Sequence, residues 1–79
     1  MSFSIQEEIK KMVEVQLGKR DVKNDDRLVE DLGAESADVA NLVAAVEEKY
    51  NIFIKESEIA RIYTSADLFS LVQNHLNES

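Results

Sequence analysis

Apolar residues recur at steps of three and four along three stretches of the chain, a spacing that predicts amphipathic helices. In the first, about Ser4–Leu17, the residues Ile5, Ile9, Met12, Val13 and Leu17 fall on one stripe. Ser4 with Glu7 is a capping-box pattern at its start, and Gly18 stands where a left-handed cap would end it. The second covers about Ser36–Tyr50, with Val39, Leu42, Val43, Val46 and Tyr50 turned inward. Asp38, Asn41, Ala45 and Glu48 share another face, with Glu47 nearby, and Asn51 is placed as a C-terminal cap. The last runs about Ser65–Leu76, capped by Thr64 with Asp67 in the reciprocal position, and buries Leu68, Leu71, Val72 and Leu76. Tyr63 and Leu68 have the spacing of a hydrophobic staple. A short helix, about Glu56–Ile62, precedes it. Ile52-Phe53-Ile54 alternates as a strand would, but no partner strand is visible in the sequence. It reads as an extended linker, with Phe53 sent outward between two inward isoleucines.

Between Gly18 and Glu35 no periodicity is visible, and a connection of that length in a small domain is either functional or a sign of misassignment. Val22, Leu28, Val29 and Leu32 are the side chains that could pin it. The expected fold is therefore all-α: a four-helix bundle of three longer helices and one short one, with a long first loop. Residues 1–79 form one domain in this reading.

Composition narrows the function. A chain of 79 residues has a thin core and little room for a deep catalytic cleft. Cysteine is absent, which removes disulfides and thiolate metal sites and fits a cytoplasmic, reducing compartment. The longest apolar run, Leu42-Val43-Ala44-Ala45-Val46, is far too short to span a membrane. Met1-Ser2-Phe3-Ser4 has no basic region followed by an apolar one, so no secretory leader is expected. The formal net charge of −7 repels nucleic acid and anionic membrane and steers basic proteins toward the chain, unless it serves solubility alone.

Candidate chemistry concentrates at Ser36, after Gly33 and Glu35 and at the start of the second helix. A serine there is most often a plain N-cap. The same place also suits a phosphate ester, because the first-turn N–H groups and the helix dipole favour an anion, and Gly33 permits a tight backbone approach. No base adjoins Ser36 in sequence, and the sole histidine, His75, lies in the last helical turn, where it reads as a surface residue. A nucleophile needs a base, so no catalytic residue is assigned, and any reaction at Ser36 would be driven by another protein. Glu35, Asp38, Glu47 and Glu48 are either a solvated face or a docking surface for Arg and Lys of partners. Asp25, Asp26, Glu30 and Asp31 lack EF-hand spacing, and no metal site is assigned.

The run Val29-Glu30-Asp31-Leu32-Gly33-Ala34-Glu35-Ser36-Ala37-Asp38 resembles acyl carrier proteins of the bacterial fatty-acid-synthesis type. The likeness continues through Leu42-Val43, Val46-Glu47-Glu48-Lys49-Tyr50, Ile52/Ile54 and Ile62-Tyr63-Thr64-Ser65-Ala66-Asp67-Leu68. It implies that Ser36 receives 4′-phosphopantetheine from coenzyme A, and that the arm's thiol holds acyl groups as thioesters. It implies as partners a phosphopantetheinyl transferase and acyl-processing enzymes with basic docking patches, meeting a monomeric carrier. The docking residues would be Glu35, Ala37, Asp38, Asn41, Glu47, Glu48 and Phe53. Val39, Leu42, Val43, Val46 and Ile62 would house the acyl chain. Five positions depart from the family's pattern: Glu35 and Ala37 flank the serine in place of Asp and Leu, Asn41 replaces an acid, Phe53 a polar residue, and Lys55 a proline. They leave open a specialised aminoacyl or polyketide carrier, and a scaffold subunit that never bears the arm.

Overall fold

The computed structural model describes residues 4–78, so Met1–Phe3, read above for a leader, lie outside it. Four helices follow in order: α1 (Ile5–Leu17), α2 (Ser36–Tyr50), α3 (Glu56–Ile59) and α4 (Ser65–Glu78). No strand forms among the described residues; a lone antiparallel bridge joins Arg27 to Thr64. The all-α bundle with its long first loop is as the periodicity predicts.

Helix ends follow local chemistry. The Ser4 hydroxyl accepts the N–H of Glu7 at 3.2 Å, and α1 stops at Gly18, whose φ of +64° is the left-handed cap. Asn51, at φ +54°, ends α2 in the same way. At the start of α4 the Thr64 hydroxyl accepts the N–H of Asp67 at 3.1 Å while the Asp67 carboxylate accepts that of Thr64 at 3.0 Å, a full capping box. The short helix stops earlier than its predicted end at Ile62. After Ile59 the chain tightens into i→i+3 turns, with Arg61 N–H on Glu58 O and Ile62 N–H on Ile59 O, both at 3.0 Å. That change of pitch swings Ile62 into the core.

The inward stripes meet as one core. Ile9 and Val13 of α1 pack with Leu42, Val43 and Val46 of α2 and with Leu68 and Val72 of α4, and α1 contacts both longer partners. The loop supplies Val22, Leu28 and Ala34, and the segment after α2 supplies Ile54. Leu32 is half-buried, but Val29 is 59% exposed and pins nothing.

The loop that lacked periodicity is folded. Asp31 N–H reaches Arg27 O at 2.9 Å and Gly33 N–H reaches Val29 O at 3.1 Å, so residues 27–33 make a helical turn. The Asp31 carboxylate accepts the N–H of Arg27 at 2.8 Å and caps it. The Glu14 carboxylate takes the N–H of Val22 at 2.9 Å and ties the loop to α1. Leu28 N–H donates to Tyr63 O at 2.8 Å, and Ala66 N–H to Asn24 O at 3.1 Å. These bonds sew the loop to the junction between α3 and α4.

Two side-chain ties complete the frame. His75 Nε2 lies 3.0 and 3.2 Å from the two carboxylate oxygens of Glu58, joining α3 to α4; the histidine read as a bare surface residue is a fastener. The N–H of Lys55, then the imidazole, hold the Glu58 carboxyl below its ordinary range. Tyr50 donates its hydroxyl to Glu8 at 3.2 Å, across α2 and α1. Burial, then the bond to Glu8, pushes this phenol up to about 12. A raised folded-state value means the tie contributes fully below the ordinary tyrosine range near 10 and is lost as pH climbs toward about 12. The unfolding midpoint is expected to fall across that window in wild type and to fall less in Tyr50→Phe; parallel curves would remove Tyr50 as the cause.

Candidate functional site

Ser36 stands at the point where the folded loop hands over to α2. It is the first helical residue and not the cap, as the sequence had suggested. The cap is Glu35, at φ −96° and ψ 167°, and its N–H is accepted by the Asp38 carboxylate at 3.0 Å. With capping assigned to its neighbours, the Ser36 hydroxyl is left exposed and bonds to no imidazole or carboxylate among the described residues. The N–H groups of Ser36 and Ala37, in the first turn, have no intrahelical acceptor and sit at the positive end of the helix dipole.

The approach to Ser36 is fixed from behind. Ala34 is buried and its N–H donates to Leu28 O at 2.8 Å. Gly33 sits at φ +70°. A Cβ added there would meet no atom within 4 Å, so the glycine serves the left-handed turn and not the close backbone approach expected from sequence.

Beside Ser36 runs a groove of about 300 Å³, lined by Val29, Ser36, Val39, Ala40, Ile59, Ile62 and Tyr63. Of the five residues expected to house an acyl chain, Val39 and Ile62 border this groove. Leu42, Val43 and Val46 are buried in the bundle core and do not line it. The groove is made instead by one edge of α2, the end of α3 and two residues that sequence reasoning set elsewhere: Val29, taken as a loop pin, and Tyr63, taken as half of a staple. The signal for them was weak, because their contribution depends on the loop-to-junction hydrogen bonds.

The docking residues divide by what their side chains already do. Ala37, Asn41 and Glu48 are exposed and fall at steps of four and seven on one face of α2, with Glu35 exposed at its head. Asp38 is occupied with the helix start. Glu47 is half-buried, and its carboxylate accepts the N–H of Ile54 at 2.8 Å, which fixes the segment after α2 in its extended course. Phe53, carried on that segment, points away from the core and is 72% exposed. No cluster of three or more His, Cys, Asp or Glu that could hold a metal ion occurs among the described residues.

The bundle thus presents an outward serine at the head of α2 with an apolar groove at its side. Residues 7–72 match the phosphopantetheine attachment site family. An acyl carrier protein of Wolinella succinogenes is 40% identical over 75 residues, covering 92% of this chain and 99% of that protein. The solved structure of an acyl carrier protein from Mycobacterium tuberculosis matches with a TM-score of 0.85 at 25% identity, over 90% of this chain and 97% of that one. The oxytetracycline acyl carrier protein shares the fold, with a TM-score of 0.74 at 17% identity over 99% and 87% of the two chains. The chain belongs to the acyl carrier protein family. It is accordingly a carrier and not an enzyme, its cofactor is 4′-phosphopantetheine, and its partners include a phosphopantetheinyl transferase and acyl-processing enzymes. No helix among the described residues is long and apolar enough to cross a membrane.

Proposed function

We propose that Ser36 is the attachment point for 4′-phosphopantetheine and that the chain, as a cytoplasmic monomer of one domain, presents acyl groups to enzymes of fatty-acid synthesis. The observation that carries this is the outward Ser36 hydroxyl at the head of α2, free of capping duty and bordering an aliphatic groove. The surroundings fit a phosphodiester: two first-turn N–H groups and the dipole face it, and no carboxylate bonds to the hydroxyl. The bound group supplies a thiol on a flexible arm. The chain's own residues orient the attachment oxygen and offer a dry wall beside it; the base that takes the hydroxyl proton comes from the transferase.

The groove is the place for the acyl chain, since burying its methylenes contributes about 0.8 kcal/mol each. Loading with an octanoyl group is expected to shift the amide resonances of Val39, Ala40, Ile59 and Ile62 relative to the thiol form. Shifts restricted to Ser36 and its two neighbours would refute burial.

Docking falls to Glu35, Ala37, Asn41, Glu48 and Phe53, whose side chains are exposed, while Asp38 and Glu47 act through the helix start and the Ile54 segment. Glu48→Lys is expected to slow modification by a transferase several-fold at low salt, and the difference should vanish near 1 M, where screening acts within about 3 Å. A rate unchanged by the reversal at low salt would remove Glu48 from the interface. A dedicated pathway for aminoacyl or polyketide units has one observation in its favour. The exposed α2 stripe of Ala37, Asn41 and Glu48 is sparsely charged, and Phe53 offers an aromatic anchor beyond it.

A further inference from the structure

Five of the seven groove residues, Val29, Val39, Ala40, Ile59 and Ile62, are aliphatic. Ser36 and Tyr63 carry the polar side-chain atoms of the lining, and Ser36 Oγ is consumed by attachment. Tyr63 is held in place by its backbone on both sides. Its carbonyl accepts the N–H of Leu28 at 2.8 Å, and its own N–H donates to Asp67 at 2.9 Å. The residue is nevertheless 64% exposed while lining the groove, and its hydroxyl makes no hydrogen bond within the described residues. A fixed backbone thus holds a free phenol at the mouth of an otherwise aliphatic slot.

An aliphatic slot admits methylenes but penalises an oxygen that enters it without a partner. Cargo suspended from its thioester end places the atoms next to the thioester at the mouth and its tail deeper in. The α-carbon follows the thioester carbonyl and the β-carbon comes next, so an oxygen on the β-carbon stays near the mouth, on the part of the lining to which exposed Tyr63 belongs. We infer that Tyr63 is a specificity-determining residue of the groove, its O–H donating to an oxygen on the β-carbon of the tethered acyl group. The groove then favours β-hydroxyacyl cargo over a saturated chain of equal length. This rests on the reading of the groove as the acyl site.

The test compares wild type and Tyr63→Phe, each loaded with octanoyl or 3-hydroxyoctanoyl groups from the corresponding coenzyme A thioesters, and reads the rate of thioester cleavage by hydroxylamine. Removal of an exposed, unbonded hydroxyl leaves the fold intact, which equal unfolding midpoints verify. Tyr63→Phe is expected to speed cleavage of the 3-hydroxyoctanoyl thioester roughly three- to tenfold, the equivalent of one ordinary hydrogen bond, with the octanoyl thioester unchanged within a factor of two. If octanoyl is protected in both proteins and the hydroxylated cargo is indifferent to the substitution, the inference fails and the groove reading stands. If octanoyl is cleaved as fast as a free pantetheine thioester in both, the groove reading fails and takes the inference with it.

Discussion

Ser36→Ala is expected to accept no phosphopantetheine when incubated with coenzyme A and a broad-specificity transferase, while wild type gains one arm's mass per chain. The loss is all-or-none because the attachment oxygen itself is gone. Position sets Ser36 apart from the other hydroxyls. Ser4 and Thr64 use theirs as helix caps, Ser65 is buried, and Ser57 and Ser70 are exposed but lie on α3 and α4, whereas Ser36 is exposed at the head of α2 beside the groove. The variant should also be as stable as wild type, within about 0.5 kcal/mol, as for other exposed substitutions that break no cap or core contact. Unchanged stability separates the structure from the sequence reading, in which Ser36 was itself a cap and its loss would cost about 1 kcal/mol. Mass added to Ser36→Ala would move the attachment site elsewhere; a variant with a clearly lowered midpoint would return the capping role to Ser36.

The largest effect on stability is expected at Leu28. Its side chain is 1% exposed, within the core formed by the helices. Its N–H is bonded to Tyr63 and its carbonyl to Ala34. Leu28→Ala removes buried methyl groups and leaves a cavity, at a cost of about 2–5 kcal/mol. A domain of this size has about 4–12 kcal/mol in all. The unfolding midpoint should drop by about 8 °C or more, at about 4–8 °C per kcal/mol. Modification of Ser36 should weaken at temperatures where wild type is still fully folded, because the turn that delivers Ser36 is anchored by this residue. Val29→Ala is the control, since Val29 is 59% exposed and one position along the same turn. Equal losses from the two variants would show that the loop is not held as described.

What the sequence revealed, and what it did not, divides along the range of the interactions. α1, α2 and α4 were legible because the apolar stripe and the capping residues of each lie within the same few turns, as with Ser4 and Gly18 or Thr64 and Asp67. The folded turn at residues 27–33 was not, because its place depends on bonds to Tyr63 and Asn24–Ala66 pairing far along the chain. The roles of His75 and Glu47 stayed hidden for the same reason, since neither Glu58 nor Ile54 is marked as a partner by spacing. Ser36 was found by position and motif, but not its capping state, because Glu35 rarely takes the place a serine favours. In the groove, Val39 was legible from the periodicity of α2, and Ile62 was named beside it. Val29 and Tyr63 required knowing that the loop and the α3–α4 junction are stitched together.

That stitching divides the groove into walls of unequal stiffness. Val39 and Ala40 ride on a long helix packed into the core, and Val29 and Tyr63 on two segments bonded to each other. Ile59 rides on α3, a helix of four residues with none fully buried, held by the partial packing of Ile59 on the core, the Glu58–His75 contact and a few local bonds. The slot is therefore a vice with one sprung jaw. If the groove takes acyl cargo, bulkier loads are expected to displace α3 before the three longer helices.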